Sequence, residues 1–493
     1  MPDPQNKFAR IPSLKTVENF RQHAALLKLQ LPCDEKLETG PNAPLARPVE
    51  KVVINGKTIG NRFAVQPMEG WDGTTTGGVT PEVVRRWSRF GQSGAKLICG
   101  GEAMAVRADG RANPNQLIIS EENQADLAML RQTLEAEHLK HHGTTRDLVI
   151  GFQLTHSGRF CRPNGKTLES RVAYRHPILD KKFNAHNYDQ VLSDAEVKEL
   201  IQDYVRAAGI AWNCGADFID LKHCHGYLLH EFLSAFTRPG EYGGSFENRT
   251  RVLREIVHGI RADGNKIDLG VRLSAFDFVP FKPDPSRSEP GKLGPGIPED
   301  FPTPYSYAFG ADVNNPLQYD LAETFRFMQL CHELGIKILN LSAGSPYYNP
   351  HIQRPAAYPP SDGYQPPNDP LVDVARQIEV VRLLKAKAPP GMALIGSAYS
   401  YLQEFLPNVA QAVVREGWTD MVGLGRIILS YPTIVADTLA GKLQSPKLIC
   451  RTFSDCTTAP RNGMISGCYP LDQHYAAKPE AKKLKEIKKT LGA

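Results

Sequence analysis

The feature that most restricts this chain is a rhythm of eight short apolar runs, rich in β-branched residues and separated by longer segments of helical periodicity. The runs are FAVQPM (63–68), KLIC (96–99), LVIGFQL (148–154), DFIDL (217–221), LGVRLS (269–274), IKILNLS (336–342), ALIGSA (393–398) and DMVGLG (420–425). A strand covered on both faces needs continuous rather than alternating apolarity, so these runs read as buried parallel strands. Between them, 122–143, 194–215, 247–264 and 318–335 carry apolar residues at helical spacing, and several begin at Asp, Glu or Asn and end at Gly, as helix ends favour. The pattern predicts an α/β fold, a (β/α)8 TIM barrel over 46–440 with an N-terminal extension (1–45) and a C-terminal extension (441–493). A doubly wound parallel sheet is the alternative. In a barrel, chemistry belongs at the C-terminal ends of the strands.

The composition narrows the function classes. Aliphatic and aromatic residues make up 41% of the 493 and charged residues 23%, as in a soluble globular protein. The net charge of +5 is mild, and the tail KKLKEIKK (482–489) supplies much of it, so no nucleic-acid partner is expected. No apolar leader opens the sequence and no run of about 18 apolar residues occurs, which predicts a cytoplasmic protein without a membrane partner. Nine scattered cysteines read as reduced thiols. Two loops rich in Pro and Gly, 279–316 and 343–370, follow the fifth and sixth strands and would rise from the active face as lids or as plain insertions.

The densest chemistry is KHCHGYLLHEF (222–232), at the end of the fourth strand. His223 and His225 would share a face there, with Lys222 and Cys224 on the other. Zinc would need further ligands, and the stretch has neither paired Cys-x2-Cys nor helical His-x3-His spacing. No metal ligand is assigned, and a structural role for the histidines stays open beside a catalytic one. No Gly-rich dinucleotide fingerprint appears in either extension.

The longer stretch HGYLLHEFLSAFTRPGEYGGSFENRTRVLREI (225–256) resembles the signature of the Old Yellow Enzyme family, FMN-binding (β/α)8 barrels. QPM (66–68), GEAMAV (101–106), FQLTHSGR (152–159), VRLSAFD (271–277), LSAG (341–344), IGS (395–397) and GLGR (423–426) extend the likeness strand by strand over about 60–440. The resemblance implies FMN as cofactor, with Gly396, Ser397, Gly425 and Arg426 at its phosphate. Gln153 and Arg272 would meet the pyrimidine side of the ring, and Pro67, Met68 and Ala103 would lie near its reactive edge. It implies a catalytic trio of Lys222, His225 and Tyr227, the first two binding a substrate oxygen and the tyrosine handling a proton.

Two departures from the family pattern matter. Lys222 stands where relatives carry histidine, a permanently charged donor unless burial lowers its pKa, and Glu69 and Trp71 stand where small or sulfur-containing residues are usual. In the tail, Cys450, Cys456 and Cys468 resemble the iron–sulfur motif of the dienoyl-CoA reductase and trimethylamine dehydrogenase branch, but Phe453 occupies the second ligand position. No stretch of the given sequence resembles that branch's FAD and NAD domains, so none is expected within it. The expected activity is hydride transfer between flavin and a small-molecule substrate, reducing an activated alkene or dehydrogenating an amine-type carbon, with NAD(P)H as donor in the reductive direction. A flavin-independent Schiff-base lyase using Lys222 and a non-catalytic flavin-binding protein are the alternatives. A homo-oligomer and an external electron carrier stay open.

Overall fold

In the computed structural model, which describes residues 8–490, all eight predicted runs form parallel strands: β1 (Phe63–Val65), β2 (Leu97–Ala105), β3 (Val149–Thr155), β4 (Phe218–His223), β5 (Asp268–Ser274), β6 (Ile338–Ser342), β7 (Ala393–Gly396) and β8 (Met421–Leu424). Each pairs with its neighbours in sequence, and β8 pairs with β1 to close the ring. Closure satisfies both edges of every strand, and the helices cover the outer face. They are α1 (Pro81–Gln92), α2 (Gln124–His142), α3 (Asp194–Asn213), α4 (Arg251–Ala262), α5 (Ala322–Glu333), α6 (Pro370–Lys385), α7 (Leu406–Arg415) and α8 (Ile434–Leu439). Local chemistry fixes their ends: Ser193 and Glu196 form a capping box on α3, and Gly143 closes α2 in the left-handed conformation.

Three differences from the sequence reading have physical causes. Strand β2 runs on to Ala105 instead of stopping at 99, because Gly100 and Gly101 take φ of 99° and 56° and bulge the strand rather than end it. The helical segment 247–264 is interrupted at Thr250, with a single turn, Phe246–Arg249, ahead of α4. An antiparallel hairpin, Val49–Ile54 with Lys57–Ile59, precedes β1. Its Val49, Val52, Ile54 and Ile59 pack against the lower interior of the barrel, on Leu97, Phe218, Ile338 and Met421.

Both long loops stand at the opposite, C-terminal end of the barrel. The loop after β5 holds a small hairpin, Phe281–Pro283 with Gly296–Pro298. The loop after β6 is fastened to it through buried Asp277, which accepts hydrogen bonds from Tyr348 Oη (2.5 Å) and Asn349 Nδ2 (2.6 Å). The tail returns to the same end. Asp472 pairs with Arg85 (2.9 Å), Glu82 with Lys478 (2.7 Å) and Asp362 with Arg461, tying residues 455–478 across α1 and the β6 loop. Among the described residues no helix is long and apolar enough to cross a membrane.

Candidate active site

The chain leaves β4 at His223 and turns sharply. His225 and Gly226 both take positive φ, 65° and 77°, and a residue other than glycine in that region costs roughly 1–3 kcal/mol and needs its surroundings to hold it. Here the His225 N–H donates to Ser274 Oγ (2.9 Å) on β5, and the Gly226 N–H donates to His230 Nδ1 (2.9 Å). The turn aims the His225 ring at Ser342 Oγ on β6 (2.8 Å from Nε2), with Gln353 Nε2 at 3.3 Å. Burial, reinforced by the Arg272 and Lys222 charges, holds the His225 imidazole well below its ordinary pKa, so it is neutral. His223 turns away to pack on Phe327, ring centroids 5.6 Å apart. The three histidines therefore do not converge, and among the described residues no group of three or more His, Cys, Asp or Glu is placed to hold a metal.

Lys222, 4% exposed, lies under Tyr227 with its ammonium 3.6 Å from the ring centre. Its counterion is Glu69, 3.7 Å away, which also accepts the Tyr227 hydroxyl. Tyr347 Oη stands 3.0 Å from Tyr227 Oη, and its ring stacks on Phe160 at 3.8 Å. Burial lowers the Lys222 pKa while Glu69 opposes the shift. Burial and the adjacent Glu69 raise that of Tyr227 well above the ordinary phenol, so the hydroxyl keeps its proton. A buried acid, a buried cation and a carboxylate bonded to the acid thus share one wall.

These groups face a cavity of about 430 Å³ at the C-terminal ends of the strands. Pro67, Met68, Lys222, His225, Tyr227, Arg272, Ser397, Gly425 and Arg426 lie on its wall; Ala103, Gln153 and Gly396 do not. Gln153 is turned to Asp220, donating to its Oδ2 (2.6 Å), and burial raises the Asp220 pKa to about 6. Ala103 is held behind Met68 by its N–H on the Met68 carbonyl (3.1 Å). Gly396 abuts Tyr399.

The donor set fits FMN. At the ends of β7 and β8, Ser397, the open face of Gly425, where an added Cβ would meet nothing nearer than 3.9 Å, and Arg426 form a cradle suited to a phosphate. The Arg426 guanidinium has no hydrogen-bond or ion-pair partner among the described residues. On the other side Arg272 donates one Nη–H to the Pro67 carbonyl (3.0 Å) and keeps its buried Nε without a partner. A buried, unsatisfied guanidinium N–H costs about 1–3 kcal/mol, which a ring oxygen or nitrogen would relieve.

Several residues on or just behind the wall had no role assigned from the sequence. Gln66 and Asn340 exchange amide hydrogen bonds (2.9 and 2.6 Å) across the barrel, and Gln66 also donates to Ser397 Oγ (3.2 Å). Tyr347, Gln353 and Arg354 come from the β6 loop, and Cys450 and Cys456, noted in the sequence for their iron–sulfur-like spacing, reach the cavity from the tail. The sequence signals present were QPM, in which Gln66 directly precedes two assigned residues, and the tyrosine-rich loop itself.

A family model described as the NADH:flavin oxidoreductase / NADH oxidase family matches residues 49–291. An NADPH dehydrogenase of Geobacillus sp. (strain WCH70) is 34% identical over 238 residues, 46% of this chain and 63% of that protein. An NADPH dehydrogenase of Bacillus cytotoxicus is 32% identical over 404 residues, 80% of this chain and 93% of that protein. Among solved structures, a 2-naphthoyl-CoA reductase in complex with 2-naphthoyl-CoA superposes with a TM-score of 0.61 at 17% identity, over 89% of this chain and 58% of that one, a likeness of fold. The chain thus spans less than two thirds of the Geobacillus protein and of the reductase, while covering nearly all of the Bacillus cytotoxicus protein.

Proposed function

Because the chain belongs to the NADH:flavin oxidoreductase / NADH oxidase family, we propose that it is an FMN-dependent oxidoreductase acting on a small organic substrate, with NAD(P)H as electron donor in the reductive direction. The observation that carries the reading is the convergence of Lys222, His225, Tyr227 and Arg272 on one cavity whose far side offers Ser397, Gly425 and Arg426. The relatives' name, NADPH dehydrogenase, supports the choice of donor.

Bound FMN supplies a reversible hydride acceptor and donor. The side chains do the rest. Arg426 and Ser397 would hold the phosphate, and Arg272 would supply positive charge on the side of the flavin ring. Lys222 and the neutral imidazole of His225 bind the substrate oxygen on which negative charge grows, a role preorganised donors fill at little reorganisation cost. Tyr227 holds its proton until a substrate carbon takes it, and Glu69, already bonded to that hydroxyl, keeps it oriented. In the opposite direction the same residues serve dehydrogenation of an amine-type carbon.

The test is the spectrum of the purified protein. Flavin bands, release of one FMN per chain on denaturation and anaerobic bleaching by NADPH are expected. A colourless protein would overturn the proposal. The lowered pKa of Lys222 also suits a Schiff-base lyase, and that reading would require borohydride to trap a substrate on Lys222 in protein lacking flavin.

A further inference from the structure

The cavity wall carries ten Lys and Arg side chains against two carboxylates, Glu69 and Asp362. Most of the cations are accounted for. Arg85, Arg86 and Arg89 pair with Asp472, Asp72 and Glu102 behind the wall, Lys182 with Glu299, Lys222 with Glu69, and Arg461 with Asp362. Arg272 and Arg426 have the roles proposed above. Arg354 is held by the hydroxyls of Ser454 and Thr457 and feels the charge of Arg426, which sets it on the phosphate side. One arginine is left over.

That residue is Arg162. Its side chain has no hydrogen-bond or ion-pair partner among the described residues, and its Nε is buried with no partner. The loop that bears it is pinned. The Arg162 N–H donates to the Arg111 carbonyl (2.8 Å), and the Arg111 guanidinium donates to the Pro163 carbonyl (3.0 Å). Arg162 follows β3, four strands around the ring from β7, so it stands across the barrel from the Ser397 cradle. Its charge bears instead on the Tyr347 phenol, as does that of Arg461. Tyr347 in turn is part of the aromatic wall formed with Tyr227 and Phe160.

We infer that Arg162 is a specificity-determining residue that binds an acid group on a flat, unsaturated substrate, whose far end presents its carbonyl to Lys222 and His225. The inference rests on the oxidoreductase reading above and adds the substrate class, an organic anion rather than a neutral enone. The Arg162 guanidinium lies on the cavity wall with its Nε buried and without an acceptor, and a carboxylate supplies one in bidentate geometry. Tyr347, on the cavity wall and backed by the buried Phe160 ring, gives the conjugated body of such a substrate an aromatic surface to pack on.

The test uses 4-carboxycinnamaldehyde and its neutral 4-carbamoyl counterpart. Calorimetric titration of the purified, flavin-loaded protein without NADPH measures binding apart from turnover. The carboxylate should bind at least tenfold tighter than the amide. Arg162→Ala should erase that preference, weakening the acid by about 10- to 100-fold, as loss of a charge-assisted bond does. It should leave the amide within twofold, and Arg162→Lys should restore part of the preference. Melting temperature and flavin content, followed alongside, show that both variants are folded. Equal affinity for the two compounds in the unaltered protein, no detectable binding of either, or a preference that survives Arg162→Ala would overturn the inference. Failure of NADPH to bleach the flavin would instead refute the oxidoreductase reading, so the two failures are distinguishable.

Discussion

Replacing Glu69 by Gln isolates the charge that the sequence places unexpectedly beside the proton donor. The amide keeps the size of the side chain and can still accept the Tyr227 hydroxyl, so the wall should remain in place. What disappears is the counterion 3.7 Å from the Lys222 ammonium. Unit charges about 4 Å apart attract by roughly 4 kcal/mol at an effective dielectric of 20, and both side chains are largely buried, 4% and 14% exposed. Burial already lowers the Lys222 pKa, with Glu69 resisting; without Glu69 it falls further. Lys222 is useful as a charged donor below its pKa and loses that role as pH rises through it. The alkaline limb of the rate profile should therefore move to lower pH, by about one unit or more, since each unit corresponds to about 1.4 kcal/mol. Tyr227 adds to the same movement, because Glu69 helps hold its pKa up. Stopped-flow absorbance of flavin reoxidation by substrate, followed from pH 6 to 10, measures the limb directly, while flavin reduction by NADPH serves as the internal control. An unshifted alkaline limb in a variant of normal flavin content would show that Glu69 does not hold the charge on Lys222 and would refute the reasoning.

Other outcomes follow from the same geometry. Arg426→Ala should weaken FMN retention by about 1.5–3 kcal/mol, the worth of a charge-assisted contact, read as the dissociation constant of FMN in reconstituted apoprotein; unchanged affinity would remove Arg426 from the phosphate. Tyr227→Phe deletes the proton but keeps the ring over Lys222, so it should slow reoxidation by substrate about 100-fold and leave reduction by NADPH near normal in stopped flow. Iron and acid-labile sulfide, assayed after anaerobic purification, should be well below one per chain, because Phe453 at the missing ligand position packs against Tyr358 at 5.5 Å and offers no thiolate; four irons per chain would contradict this.

The barrel was legible because its strands are covered on both faces and so appear as unbroken apolar runs, a signal strong enough to place all eight. Its precise ends were not, since Gly100 and Gly101 look like a stop in sequence and act as a bulge in the strand. Lys222, His225, Tyr227 and Arg272, each at a strand end beside a motif, were locally legible as candidates, and all four line the cavity. Partners chosen by tertiary packing were not. Gln66 and Asn340 are 274 positions apart, and Tyr347 reaches Tyr227 from a loop whose next two residues, Tyr348 and Asn349, are anchored on Asp277. Gln153 shows the converse: it sits on the expected strand, but its amide is engaged by Asp220, a pairing no linear motif encodes.

The hairpin beneath the barrel has a kinetic consequence. With Val49, Val52, Ile54 and Ile59 filling the lower interior, the barrel is closed at that end, and under the proposed function the nicotinamide and the second substrate would both approach from the loop end. Each then occupies the ground the other needs, so product must leave before the next partner arrives, and double-reciprocal plots for the two should run parallel. On that reading each reactant should inhibit the other at high concentration, so the ratio of the two, rather than the amount of either, should set the rate.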